Sequence, residues 1–159
     1  LIKKILLKKL KDYNIFIINP NLKNLLNSDV YKLIINLQPE HADTDELYIP
    51  LWHNELNYNN NIIKIQPIIQ DNIEIDNENN IIINYNNSFT VIQELIENYE
   101  YPYFEIIVEH LNLMIPLKEL KITKNQKYFF NNIGIPKINT NDIFDISNKA
   151  KIIININIS

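Results

Sequence analysis

A chain of 159 residues with a single glycine, Gly134, has few ways to reverse direction. Turns that need a positive φ use glycine first, because it lacks a Cβ, and asparagine second. Here asparagine gathers in short clusters, Asn59-Asn60-Asn61, Asn77-Glu78-Asn79-Asn80 and Asn131-Asn132, each set between apolar runs. These clusters read as turns and not as low-complexity tracts. The runs they separate are short and rich in isoleucine. The last of them, Ile152-Ile153-Ile154-Asn155-Ile156-Asn157-Ile158, follows a strand pattern. β-Branched residues at such spacing predict strands, so the expected fold class is mostly β. Ile, Asn, Lys and Tyr recur at positions with no shared chemistry, as the coding bias of an AT-rich genome would produce.

Hydrophobic residues make 46% of the chain, enough to fill a core. A formal net charge of -4 suits a soluble domain and is poor for gripping a phosphate backbone, so no nucleic-acid partner is expected. Lys3, Lys4, Lys8, Lys9 and Lys11 cluster near the start and read as a solvated helix face. Without cysteine the segment has no disulfide, thiolate zinc site or cysteine nucleophile, which fits a reducing compartment. The longest apolar runs fall far short of the roughly 20 residues that span a bilayer, and no membrane partner is expected. Leu1 stands where a start methionine would, so the chain is expected to be a piece of something larger.

Along the chain, Leu1 to Leu10 predicts a short amphipathic helix, with residues 1–12 as helix or linker. Tyr13 to Ile18 predicts a strand, and Leu22, Leu25 and Leu26 a helical turn. Val30 to Leu37, Leu47 to Leu51 and Ile62 to Pro67 read as strands. After Pro67 the order repeats: a strand over Ile81 to Tyr85, a brief helix over Phe89 to Ile96, and a hairpin of Phe104 to His110 and Leu113 to Leu117 turning across Leu111-Asn112. Lys127 to Phe130 and Ile152 to Ile158 complete it. Two small β-rich units follow, 13–67 and 68–159, with a sandwich favoured over a closed barrel.

The run Leu120-Lys121-Ile122-Thr123-Lys124-Asn125-Gln126-Lys127-Tyr128-Phe129-Phe130, followed by Asn131-Asn132-Ile133-Gly134-Ile135-Pro136, resembles the last hairpin of the carboxy-terminal substrate-binding region of DnaJ (Hsp40) co-chaperones. Asp142 to Ile152 stands where that family starts its final strand, with Ala150 and Lys151 in place of its Gly and Asp. Leu22 to Ile35 is similar to the helical turn and strand of the first subdomain. Ser88-Phe89-Thr90 with Leu95-Ile96 resembles the corresponding turn of the second. Leu47 to Leu56 resembles divergent DnaJ-like proteins of large DNA viruses. The His-Pro-Asp tripeptide, glycine/phenylalanine linker and zinc-binding cysteine repeat of the family do not occur in this sequence. The resemblance implies two small β-sandwich subdomains with short helical turns.

It also implies a function: a co-chaperone segment that binds exposed apolar parts of unfolded client polypeptides and works with Hsp70 through regions not present here. The compartment implied is the cytoplasm, the host's if the chain is viral. The alternative is a structural or assembly component of a large DNA virus particle, located in the virion with viral assembly partners. The positions matching the family's client groove are Phe16 and Ile18 on one strand and Leu33 and Ile35 on the next. Period-two spacing puts each pair on one face, where they form either a groove for extended peptide or ordinary core.

Trp52 and His53 read as a core or subdomain-boundary pair, or else as an aromatic recognition platform or interface anchor. His41, His53 and His110 lack metal-ligand spacing, and neither metal nor cofactor is expected. Asp43, Asp45 and Glu46 crowd a polar loop without a partner motif, Ser88 and Ser147 lack a nucleophile-elbow context, and no enzymatic activity is expected. Tyr99, Tyr101 and Tyr103 around Pro102 read either as a sticky aromatic strip or as residues that pack a loop against the second unit.

Overall fold

A computed structural model describes residues 3–10, 13–35, 45–97 and 102–159. The chain is mostly β, as its alternation predicts. It divides into two compact units, Leu1–Ile68 with Pro136–Asn148, and Ile69–Ile135 with Lys149–Ser159.

The first unit begins with β1 (Lys3–Leu10) and β2 (Tyr13–Asn19), paired antiparallel from Lys3↔Asn19 to Leu10↔Tyr13. The helix expected at Leu1 to Leu10 is therefore corrected to a strand over Lys3–Leu10, residues 1 and 2 lying outside the described residues. A helix of so few residues nucleates poorly alone, whereas the same backbone pairs along β2 with one register shift between Leu6 and Lys8. Next comes α1 (Leu22–Leu26), capped by Asn21 and Asn24, whose side chains each accept from the other's backbone N–H. Its Leu22, Leu25 and Leu26 are buried. The antiparallel pair β3 (Val30–Ile35) and β4 (Asp45–Pro50) forms a sheet of its own. Finally β5 (Glu55–Tyr58) and β6 (Asn61–Ile65) turn across Asn59-Asn60, and β6 lies parallel to β2. The main sheet runs β1-β2-β6-β5.

The second unit repeats this plan. Antiparallel β7 (Ile73–Ile75) and β8 (Ile81–Asn87) lead to α2 (Phe89–Glu97), whose first turn starts at Ser88, with the Ser88 hydroxyl accepting from the Val91 N–H at 3.3 Å. The pair β9 (Tyr103–Val108) and β10 (Leu111–Pro116) again forms a separate two-stranded sheet, followed by β11 (Asn125–Phe130) and β12 (Ile152–Ile158). The main sheet is β11-β12-β8-β7, with β12 parallel to β8. Hairpin, helix, hairpin and returning pair therefore occur twice in one strand order. A short sequence echo goes with it: Ile49-Pro50-Leu51 ends β4 and Ile115-Pro116-Leu117 ends β10.

In each unit both sheets bury one face. From the main sheets come Phe16, Ile18, Ile63 and Ile65 in one unit, and Ile81, Ile83, Ile152, Ile154 and Ile156 in the other. Contacts join the layers: the Tyr58 hydroxyl donates to the Tyr48 carbonyl at 2.9 Å, and the Tyr85 and Phe104 rings meet edge-on with centroids 5.0 Å apart.

Each asparagine cluster contains one residue at positive φ, namely Asn59, Asn79 and Asn132. Gly134 does not use this freedom. Its φ is not positive, and it is needed for space, since a Cβ there would sit 3.1 Å from the Ala150 carbonyl oxygen and 3.3 Å from Ile152 Cγ1. The β9–β10 turn lies at Glu109-His110 and not at Leu111-Asn112, with Glu109 at φ 52°. The expected span 68–159 also differs from the observed unit, because residues 136–148 of the β11–β12 connection belong with the first unit.

Candidate functional site

All four sequence-derived groove residues are core. Phe16 and Ile18 on β2 and Leu33 and Ile35 on β3 are buried, Ile18 completely. No client side chain reaches them without opening the unit, so the groove expected on these side chains is corrected to interior. Two-sided burial would need apolar residues at every position, but β3 alternates: Val30, Lys32 and Ile34 point to solvent from the same strand.

That outward row has a defined geometry. The Leu51 N–H donates to the Asp29 carbonyl at 3.1 Å, which makes Tyr31↔Ile49 and Leu33↔Leu47 the hydrogen-bonded pairs of the ladder. Val30, Lys32 and Ile34 belong to the alternate pairs, so their N–H and C=O groups point away from β4. Among the described residues no strand pairs with that edge of β3. The opposite edge differs, because the Tyr58 hydroxyl already occupies the Tyr48 carbonyl.

Val30 and Ile34 are 45% and 52% exposed, and Tyr48, across from Lys32, is 50% exposed. Between the apolar groups Lys32 Nζ lies 3.2 Å from Glu46 Oε1, and this contact raises the lysine pKa, first through the hydrogen bond and then through charge. The site is thus an open strand edge flanked by apolar side chains with one cation at its centre. It can add an extended peptide through main-chain hydrogen bonds, with alternate side chains packing on Val30, Ile34 and Tyr48. The signal was present in the sequence as the other parity of the strand that holds Leu33 and Ile35.

Trp52 and His53 are buried in the first unit. His53 Nε2 lies 2.8 Å from the Ile143 carbonyl oxygen, and burial pushes its pKa down, partly offset by that carbonyl. The pair holds structure together and presents no recognition platform. Asp43, His41, Tyr99 and Tyr101 lie outside the described residues. Glu46 is committed to Lys32, and Tyr103 is exposed on β9. Among the described residues no three His, Cys, Asp or Glu side chains gather as a metal site, and no helix is long and apolar enough to cross a membrane.

The second unit carries an open cavity of about 460 Å³ lined by Ile96, Pro102, Tyr103, Pro116, Leu117 and Lys118. Among the described residues its lining is mostly apolar, with the Tyr103 hydroxyl and Lys118 as its polar side-chain groups, and it includes no carboxylate or histidine. No family model matches the chain, and no curated protein matches it either.

Proposed function

We propose that the chain is a polypeptide-binding module of the Hsp40 carboxy-terminal kind, which holds exposed apolar stretches of unfolded clients in concert with Hsp70. The observation that carries this reading is the open edge of β3, with Val30, Lys32 and Ile34 presenting outward side chains and main-chain groups that no strand among the described residues pairs with. The doubled strand order supports it, since the resemblance in the sequence implies two successive small β units. Binding is reversible and involves no covalent step: the client adds as a strand, and its apolar side chains leave water against Val30, Ile34 and Tyr48. The proposed compartment is the cytoplasm, the host's if the chain is viral.

The test is binding of the purified chain to a fluorescently labelled, permanently unfolded polypeptide. A Val30→Asp/Ile34→Asp variant alters only exposed positions and is expected to keep its fold while losing affinity. Unchanged affinity in that folded variant removes β3 as the site. A Leu33→Asp/Ile35→Asp variant is expected to unfold, because both side chains are interior.

A second reading, a structural or assembly component of a large DNA virus particle, draws on the same feature, because an open edge also joins subunits. Fixed-stoichiometry incorporation into purified particles would favour it over the client role.

A further inference from the structure

β3 has a counterpart in the second unit. β9 occupies the same place in the repeated strand order, and among the described residues its outer edge likewise pairs with no strand. The Leu117 N–H donates to the Pro102 carbonyl at 2.9 Å, just as Leu51 donates to Asp29, so the ladder has the same phase. The N–H and C=O groups of Glu105 and Ile107 therefore point away from β10, while their side chains face solvent. The outward row on β3 reads Val30-Lys32-Ile34, and that on β9 reads Tyr103-Glu105-Ile107. Each row sets a charged residue between two apolar ones, and the two charges are opposite.

We propose that β3 of one copy pairs antiparallel with β9 of a second copy, setting Lys32 opposite Glu105, Val30 opposite Ile107 and Ile34 opposite Tyr103. This rests on the reading of β3 as an open edge and names its partner. Directly opposed residues in an antiparallel ladder carry their side chains on the same face, so all three pairs lie together on the solvent side. The chirality of L-residues makes the fit general: in both strands the residues with outward side chains are those with outward main-chain groups. A half-turn normal to the sheet therefore brings the two edges together in phase.

Charge selects this pairing over its rivals. An antiparallel β3–β3 contact centred on Lys32 opposes two lysines, and the equivalent β9–β9 contact opposes two glutamates, whereas β3–β9 opposes lysine to glutamate. Lys32 would then lie between Glu46 of its own hairpin and Glu105 of the second copy. Because the joined surfaces differ, the contact closes only when both are used reciprocally, and otherwise it propagates head to tail.

The experiment is sedimentation velocity over a concentration series of the wild-type chain, Lys32→Glu, Glu105→Lys, the two single variants mixed, and the double charge swap, each checked by circular dichroism. Association is expected for the wild type, with a loss of roughly tenfold or more in each single variant. It should return in the equimolar mixture and in the double swap. Wild type that stays monomeric up to its solubility limit overturns the proposal. So do single variants that associate like wild type, or a double swap that fails to recover. Binding of the labelled unfolded polypeptide is measured on the same samples: a monomer that still binds it through Val30 and Ile34 defeats self-pairing alone, and a monomer that does not bind it defeats both.

Discussion

The ring nitrogen Nε2 of His53 lies 2.8 Å from the carbonyl oxygen of Ile143, a residue 90 positions further along the chain. With the ring buried, the bond fixes the tautomer: Nε2 carries the proton and donates to the carbonyl. Through it the excursion of residues 136–148 is tied to the segment that follows β4. Asp145 steadies the same excursion, with its carboxylate accepting from the Ser147 N–H at 2.9 Å and from Asn139 Nδ2 at 3.0 Å.

Burial lowers the His53 pKa below its ordinary value of 6.5, so the folded state favours the neutral ring. The unfolded chain then binds more protons as pH falls, and stability drops with it. The contribution is fully present above 6.5 and is lost as pH falls through the lowered folded-state value. Denaturant midpoints measured from about pH 8 to about pH 5 should decline more steeply for wild type than for His53→Gln, which keeps a donor but does not titrate there. Parallel profiles would mean that His53 is not linked to folding.

Leu33 and Ile34 are adjacent in β3 and lie on opposite faces, one 1% and the other 52% exposed. Leu33→Ala should cost about 2–5 kcal/mol, as large-to-small core changes do. Ile34→Ala should stay within about 0.5 kcal/mol of wild type. Equilibrium unfolding in urea checks both, and equal losses would contradict the assigned face of the strand.

Those two residues also mark what a reader of the sequence can and cannot see. Period-two alternation located β3, β8 and β12 and gave two faces, but it did not say which face is interior. Only Lys32 hinted that its row, with Val30 and Ile34, meets solvent, while Leu33 and Ile35 fit a groove as well as a core until the partner layer is known. The asparagine clusters were legible because a backbone requirement, positive φ, left few residue choices at Asn59, Asn79 and Asn132. β1 was misread because its lysines and leucines satisfy helical spacing as well as a strand, and only pairing with β2 decides. The open edges that make the candidate site come from tertiary pairing, which leaves no local trace in the composition of β3 or β9.

Gly134 is retained for room and not for conformation. Gly134→Ala places a methyl group 3.1 Å from a backbone carbonyl that cannot swing aside, because Ala150 itself donates to the Ile135 carbonyl at 2.7 Å. The expected loss is about 1–3 kcal/mol, the usual range for overpacking. Thermal unfolding monitored by circular dichroism measures it. A neutral outcome would show that residues 134 and 150 separate easily.

Asn59 and Asn132 share a left-handed backbone, at φ 54° and 57°, yet they should respond differently to glycine. The Asn132 side chain has a second task, because its Oδ1 accepts from the Lys149 N–H at 2.8 Å and ties the end of β11 to the approach of β12. The Asn59 side chain is exposed and makes no such bond among the described residues. Asn59→Gly relieves the positive φ and should leave stability within about 0.5 kcal/mol of wild type. Asn132→Gly relieves the same φ but removes an acceptor, for a net loss of about 1 kcal/mol. Replacing either with Ala keeps a Cβ in the left-handed region and should cost about 1–2 kcal/mol at Asn59 and more at Asn132, where both effects add. Urea midpoints of the four variants test the ordering; identical behaviour of the two glycine variants would leave Asn132 a turn residue and nothing more.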